Sequence, residues 1–184
     1  MKTFIFINGP MGVGKTTTGK RICDKLGRAG FIDGDWCMDI HPFIGNQETI
    51  AMAIDNIVHM IRNYYVCSEC DTIVLGWIAN EQTTNKIIGQ ISTLNIQIHN
   101  IILNCSRDAL INRWKKDTIT EWRSDERWLN QSLNSLDNFK LRSDAAIIDT
   151  SELSEELVAD KIIEMTIVPR GESFECERIG TLET

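Results

Sequence analysis

Short apolar runs alternate along the chain with longer stretches in which apolar residues recur every three or four positions. Runs such as Ile73-Val74-Leu75 and Ile101-Ile102-Leu103 show no polar alternation, which is typical of parallel strands covered on both faces. The pattern predicts strands at residues 3–8, 29–33, 72–77, 96–104 and 145–149. It predicts helices at residues 15–26, 47–66, 81–93, 107–116, 125–140 and 152–165. This alternation predicts an α/β fold with three α/β/α layers around a parallel five-stranded sheet, whose ligands bind beyond the carboxyl ends of the strands.

The first predicted strand is followed at once by a glycine-rich segment, Gly9-Pro10-Met11-Gly12-Val13-Gly14-Lys15-Thr16. This is the pattern G-x-x-x-x-G-K-[ST] of a phosphate-binding loop, placed as required between a strand and a helix. Its glycines let peptide N–H groups point at a phosphate, and the N-terminus of the next helix adds positive charge. We expect these eight residues and Thr17 to bind a nucleotide. Lys15 would contact the β- and γ-phosphates, and Thr16 would be a Mg²⁺ ligand.

Two carboxylates, Asp33 and Asp35, end the second predicted strand and face the same crevice as the loop. One of them can hold Mg²⁺ or contact a substrate, and the other can accept the proton of an attacking hydroxyl. Gly34 between them is expected to let a substrate approach closely. The alternative is that Asp-Gly-Asp forms a solvated turn.

The strand, loop, helix and acid pattern over residues 4–35 resembles the small P-loop kinases that phosphorylate small molecules. Gluconate kinase, shikimate kinase, adenylylsulfate kinase and the chloramphenicol phosphotransferases are such families. The resemblance implies a nucleotide kinase-like P-loop NTPase fold, ATP and Mg²⁺ as cofactors, and transfer of the γ-phosphoryl group to a hydroxyl or phosphate. The acceptor would be a nucleoside, nucleotide, sugar or antibiotic. By position, Lys15 and Asp35 would be catalytic and Asp33 the metal partner, although the two aspartates could exchange roles.

The chain departs from the wider P-loop pattern after its third predicted strand, where Gly76 follows Leu75 and no Walker-B acid is present. This shifts the metal role to Asp33 or Asp35 and argues against a motor ATPase or a GTPase switch. It leaves open a second hypothesis, a nucleotide-binding regulatory P-loop protein whose bound state is the output.

A basic stretch follows the fourth predicted strand, although the chain has a net charge of −7. It comprises Arg107, Arg113, Lys115, Lys116, Arg123 and Arg127. Guanidinium groups on a mobile segment suit the charge that spreads over a transferring phosphoryl group. We predict a short lid near residues 113–128, and by resemblance Arg113 and Arg123 are its catalytic groups. The alternative is a set of solvated helix faces that pair with neighbouring acids.

Aromatic residues follow the acids. Trp36, Phe43 and Trp77 are predicted to line an acceptor pocket by stacking on a ring, and the alternative is that Trp36 and Phe43 cover the core. Glu81 is either a substitute acid at the acceptor or an acid in the first turn of a helix, stabilised by its dipole.

Composition limits the possible partners. The 184 residues suit one domain over 1–168, followed by an acidic C-terminal tail over 169–184. The negative charge argues against nucleic acid and anionic membranes, and no apolar run is long enough to cross a bilayer. No signal peptide is evident and the six cysteines lack regular spacing, so we expect a cytoplasmic monomer or homodimer whose partners are a nucleotide and a small acceptor.

Overall fold

The structure is a computed structural model that describes residues 1–117 and 125–167. In chain order its elements are β1 (Lys2–Asn8), α1 (Lys15–Leu26), β2 (Ala29–Asp33), α2 (Gln47–Val66), β3 (Thr72–Gly76), α3 (Glu81–Ile91), β4 (Ile96–Asn104), α4 (Arg107–Lys116), α5 (Glu126–Lys140), β5 (Ala146–Asp149) and α6 (Glu155–Thr166). One short 3₁₀ turn, Trp36–Met38, lies between β2 and α2.

Most boundaries agree with the predicted ones within one or two residues. The start of α6 is the main difference, because Ser154 rather than an earlier residue caps this helix. Its hydroxyl accepts a hydrogen bond from the backbone N–H of Leu157, so the helix begins at Glu155 and not at Glu152.

All five strands are parallel, in the order β2-β3-β1-β4-β5. β1 therefore lies in the middle of the sheet, β2 and β5 form its edges, and β3 returns to lie between β2 and β1. Ile7 pairs with Gly76, and Gly76 pairs with Asp33, so the ends of β1, β3 and β2 are level. This register places the loop after β1 and the acids after β2 at the same edge of the sheet.

The side chains of β1 alternate between two buried cores. Phe4 and Phe6 pack in the core beneath α2 and α3, whereas Ile5 and Ile7 pack in the core beneath α1 and α6. Both faces of the sheet are covered, which explains why its strands lack polar alternation. The predicted three-layer α/β fold with a parallel five-stranded sheet is confirmed.

Within the described ranges, no helix combines the length and the apolar character that crossing a membrane requires.

Candidate functional site

The glycine-rich loop wraps around the N-terminus of α1. Gly9 and Gly14 have φ values of +138° and +106°, which other residues rarely adopt. At Gly9 space is also limiting, because an added Cβ would lie 2.2 Å from the carbonyl oxygen of Leu103 on β4. Gly14 is the N-cap of α1 and provides no side chain to cap the helix. The first-turn N–H groups thus face the loop, where an anion can accept their hydrogen bonds.

Lys15 folds back across this loop. Its ammonium Nζ donates hydrogen bonds to the carbonyl oxygens of Gly9, at 3.0 Å, and of Pro10, at 2.9 Å. A full positive charge is therefore held against the same loop whose amides face inward. This combination of amides and ammonium is suited to a polyanion.

Thr16 and Asp33 meet at the mouth of the loop. The Thr16 hydroxyl donates to Asp33 Oδ2 over 3.3 Å, which joins the first turn of α1 to the end of β2. The other oxygen, Asp33 Oδ1, accepts from the backbone N–H of Asp35 at 3.1 Å. A hydroxyl and a carboxylate side by side are the oxygen donors that Mg²⁺ prefers. The two predicted metal ligands are thus close together, and their chemistry fits the ion.

Asp35 lies next to this pair and begins the 3₁₀ turn at Trp36–Met38. Its residue surface reaches solvent, but the protein atoms around its carboxyl group raise the pKa by desolvation. The Lys15 ammonium lowers the pKa of Asp35, and the charge of Asp33 raises it further, with a net increase above the usual value. Asp35 is therefore a better proton acceptor than an ordinary surface aspartate.

A cavity of about 480 Å³ opens on the opposite side of the loop, between α1, α4 and the segment after β5. Arg113 lines it, and its guanidinium donates to the carbonyl oxygen of Val13 at 3.3 Å and to the Thr150 hydroxyl at 2.9 Å. It also donates to the backbone carbonyl of Thr150. Arg113 thus reaches the loop from the side of β4 and β5, whereas Asp33 and Asp35 reach it from the side of β2.

The structure describes only one of the two other arginines in the predicted lid. Arg123 lies outside the described residues, as do all residues from 118 to 124 of the predicted lid. Arg127 is exposed and pairs with Asp125, whose carboxylate lies 2.6 Å from the guanidinium. This pairing agrees with the alternative of a solvated helix face.

The predicted acceptor residues are not all at the surface. Trp36 is 81% exposed and Phe43 is 63% exposed, so neither covers the core. Trp77 is only 4% exposed and packs in the core beneath α2 and α3. A Cβ at Gly34 would lie 2.2 Å from Cγ of Trp77. The structure therefore corrects two expectations, because Gly34 makes room for the Trp77 indole and not for a substrate.

Glu81 is the first residue of α3 and is exposed. The N-cap before it is Asn80, whose side chain accepts from the backbone N–H of Thr83 at 2.8 Å. This position agrees with the alternative of a first-turn acid near the helix dipole.

Sequence reasoning missed the polar residue that anchors the loop. Asn8, at the end of β1, is fully buried and makes three hydrogen bonds. Its Oδ1 accepts from the N–H groups of Gly9, at 2.7 Å, and Ala79, at 3.0 Å. Its Nδ2 donates to the carbonyl of Ala79 at 2.8 Å. A polar residue that closes an apolar strand was the available signal.

A second missed contact comes from α5. The Ser132 hydroxyl is buried and donates to the carbonyl oxygen of Met11 at 2.7 Å. The helix after the predicted lid therefore touches the phosphate-binding loop directly. Nothing in the local sequence of Ser132 indicates this long-range contact.

Comparison with known proteins supports the same fold. The tunicamycin resistance protein of Deinococcus radiodurans superposes with a TM-score of 0.63 at 19% identity, over 92% of this chain and 100% of that one. The Mycobacterium tuberculosis APS kinase, solved with AMPPNP and APS, gives a TM-score of 0.65 at 14% identity, over 89% of this chain and 96% of that one.

A curated relative matches more closely over a short stretch. The shikimate kinase of Psychrobacter cryohalolentis is 49% identical over 35 residues, which is 19% of this chain and 18% of that protein. The family model described as an AAA domain matches residues 5–129, from β1 into α5, and includes the loop and both aspartates. This match spans more than half of the chain, and the chain therefore belongs to the AAA domain family.

Proposed function

We propose that this protein is a kinase that transfers the γ-phosphoryl group of ATP to a hydroxyl group of a small molecule, in the presence of Mg²⁺. The observation that carries the proposal is the contact between Thr16 Oγ1 and Asp33 Oδ2, at 3.3 Å, beside a loop that carries Lys15. It joins a metal-binding pair to an anion-binding loop, with Asp35 adjacent as a base. The kinase names of the similar proteins support this reading.

Each residue of the site has a role in this reaction. The loop amides and Lys15 bind the phosphates, and the Lys15 ammonium stabilises the charge that develops during transfer. Thr16 and Asp33 would hold Mg²⁺, which when bound neutralises charge on the phosphate oxygens. Asp35 orients the acceptor hydroxyl and takes its proton.

The cavity that Arg113 lines is the place for the nucleotide base, since it adjoins the loop on the side away from the acids. Arg113 then holds the walls of this cavity together through Val13 and Thr150. Arg123 and the lid near 113–128 remain proposals, as do the domain limit at 168 and the acidic tail. A cytoplasmic location and a monomeric or homodimeric state remain predictions of the sequence.

The test is Asp35→Asn in an assay of ADP release with a panel of hydroxylic compounds. We expect the acceptor-dependent rate to fall by about 10²–10⁴-fold, because a general base is lost. Nucleotide affinity, measured by calorimetry, should stay unchanged, since the loop is intact. The matched control is Asp24→Asn, which removes an exposed carboxylate on α1.

The regulatory alternative predicts a different result. A regulator would bind the nucleotide tightly but would show no acceptor-dependent release of ADP, and Asp35→Asn would change neither property. Equal losses of rate in the Asp35 and Asp24 variants would also contradict the assignment of Asp35.

A further inference from the structure

A second cavity, of about 490 Å³, opens beside Asp33 on the β2 side of the site. Phe31, Trp36 and Met60 give it apolar walls, and its polar lining includes Asp33, Lys20, Asn56 and His59. Its volume is that of a small-molecule pocket. Because Asp33 also contacts Thr16, this cavity adjoins the place where the phosphoryl group would be transferred.

The Trp36 indole is the most exposed aromatic surface beside this cavity. It is 81% exposed, although its 3₁₀ turn is anchored to α2 by a hydrogen bond from Asn56 Nδ2 to the Cys37 carbonyl at 3.0 Å. The turn is thus joined to α2, and the indole, one residue from Asp35, is largely exposed. An uncovered indole beside a base suits a substrate that carries a ring.

The segment that contains β2, the turn after it and most of α2 is acidic. Residues 29–61 contain five acidic residues and no Lys or Arg. Asp33, Asp35 and Asp39 all lie at the end of β2 or in the turn that follows it. An anionic acceptor would be brought against these carboxylates, and like charges brought together in a partly desolvated site repel strongly.

Of the described cations near the acceptor side, Lys15 faces the loop, where its ammonium contacts the Gly9 and Pro10 carbonyls and would meet the transferring phosphate. Lys20 lines the cavity from α1, but Asp33 lines the same cavity. Arg142 reaches the loop region through the Ala79 carbonyl, but its guanidinium is held by both carboxylate oxygens of Asp144, each at 2.5 Å. Lys20 carries an ammonium group, and the guanidinium fork of Arg142 is already occupied by Asp144, so neither offers the open fork that binds carboxylates and phosphates.

We propose that the acceptor is an uncharged or cationic hydroxylic compound with a ring that stacks on Trp36, and not a carboxylate, sulfate ester or phosphate ester. This inference rests on the proposed kinase function. In the transfer, the acceptor oxygen forms a bond to the γ-phosphorus, the bond from that phosphorus to the β,γ-bridging oxygen breaks, and ADP leaves. The proton of the hydroxyl goes to Asp35.

The experiment compares ADP release by the full chain with two sets of probes. One set contains uridine, adenosine, neutral hexoses and amino sugars, and the other contains shikimate, gluconate and nucleoside monophosphates. We expect phosphorylation in the first set. Because the carboxylates repel an anionic acceptor, we expect rates at least about 100-fold lower in the second set. A preferred acceptor from the anionic set would overturn the inference and leave the kinase function intact.

Substitution of Trp36 tests the stacking contact. For the preferred acceptor, Trp36→Ala should raise KM about tenfold with little change in kcat, and Trp36→Phe should restore KM. Val66→Ala, which truncates an exposed side chain at the end of α2, is the matched control. An unchanged KM in Trp36→Ala would overturn the role of the indole.

Lys20→Gln distinguishes an anionic acceptor from an uncharged or cationic one. It should lower any residual rate with anionic probes, because it removes the ammonium that opposes Asp33. A tenfold loss with the preferred acceptor would show instead that Lys20 binds an anionic group, and would overturn the inference. Calorimetric nucleotide binding without ADP release from either set would overturn the proposed function and this inference together.

Discussion

At the scale of single residues, the site depends on how a few charges are placed around one loop. Lys15 and Asp33 influence Asp35 in opposite directions, and desolvation decides the outcome in favour of a raised pKa. The Asp33 carboxylate contacts Thr16 at the mouth of the loop. The same local arrangement therefore gives the two carboxylates different surroundings, which fits the proposed roles of Asp33 as metal ligand and Asp35 as proton acceptor.

The raised pKa of Asp35 predicts the pH dependence of the reaction. A protonated Asp35 cannot accept a proton, so kcat/KM should fall as the pH decreases through this pKa. Because the pKa lies above the ordinary aspartate value of about 3.9, the fall should begin at a higher pH than for an ordinary aspartate. A pH profile of kcat/KM measures this, with Asp24→Asn as a control that should keep the profile. An acid limb below pH of about 4 would contradict the assignment.

Asn8 gives a prediction about stability. Asn8→Ala leaves the N–H groups of Gly9 and Ala79 without a buried acceptor, so we expect a loss of about 3 kcal/mol in the free energy of unfolding. Urea denaturation measures the loss. Asn95→Ala, at an exposed position, should change the free energy by less than about 0.5 kcal/mol. Similar effects in the two variants would show that Asn8 does not anchor the loop.

At the scale of elements, close packing between neighbouring segments sets the shape of the crevice. The loop lies directly against the end of β4 at Gly9, and the turn after β2 lies directly against Trp77 at Gly34. In both places a glycine is required because another protein group occupies the position of a side chain. The edge of the sheet is thus tightly packed beneath the open surface of the site.

Alanine at two glycines separates steric contact from backbone strain. Gly27 has φ +71° and an added Cβ would meet nothing within 4 Å, so Gly27→Ala should cost only the left-handed strain of about 1–2 kcal/mol. Gly9→Ala adds a clash with the Leu103 carbonyl and should cost clearly more. Urea denaturation compares the two. Equal costs would mean that the loop moves away from β4 without penalty.

Substitution of Gly34 tests whether this glycine makes room for the Trp77 indole. Gly34→Ala should destabilise the protein by about 1–3 kcal/mol, because the added methyl group overlaps the buried Trp77 indole. In a double-mutant cycle with Trp77→Leu, the combined loss should be smaller than the sum of the single losses. An effect on acceptor KM with no loss of stability would favour the original expectation of a substrate contact.

At the scale of the whole molecule, the described residues already enclose both faces of the sheet. Beneath α1 and α6 the core includes Ile22 and Ile162, and beneath α2 and α3 it includes Ile57 and Ile87, all fully buried. The last of these helices ends at Thr166. Among the described residues, both cores are therefore built from elements that end by Thr166.

Deletion of residues 169–184 should accordingly leave the urea midpoint and the affinity for Mg²⁺-nucleotide unchanged. Deletion from Glu155 onward is the contrasting variant, because it removes α6 and exposes Ile22 to solvent. That variant should fail to unfold cooperatively. A large loss of stability in the shorter deletion would show that the domain extends past residue 168.

The sequence was informative where neighbouring residues determine the local structure. The loop from Gly9 to Thr16 could be identified because its glycines, lysine and threonine act through backbone geometry and short-range contacts. Buried parallel strands could be identified because a short apolar run without polar alternation is typical of a strand that is covered on both faces. These local signals were enough to predict the three-layer fold, which the structure confirms, and to propose the nucleotide site and the roles of the two aspartates.

Only the tertiary structure decided which face each remaining side chain presents. Trp36 and Trp77 have similar sequence contexts at the ends of strands, yet one is exposed and the other is buried against Gly34. Arg113 joins the Thr150 segment because β4 and β5 are adjacent, which no local pattern specifies. The physical reason is that burial and long-range hydrogen bonds depend on segments distant in the chain, whereas backbone conformation and periodicity depend on neighbours.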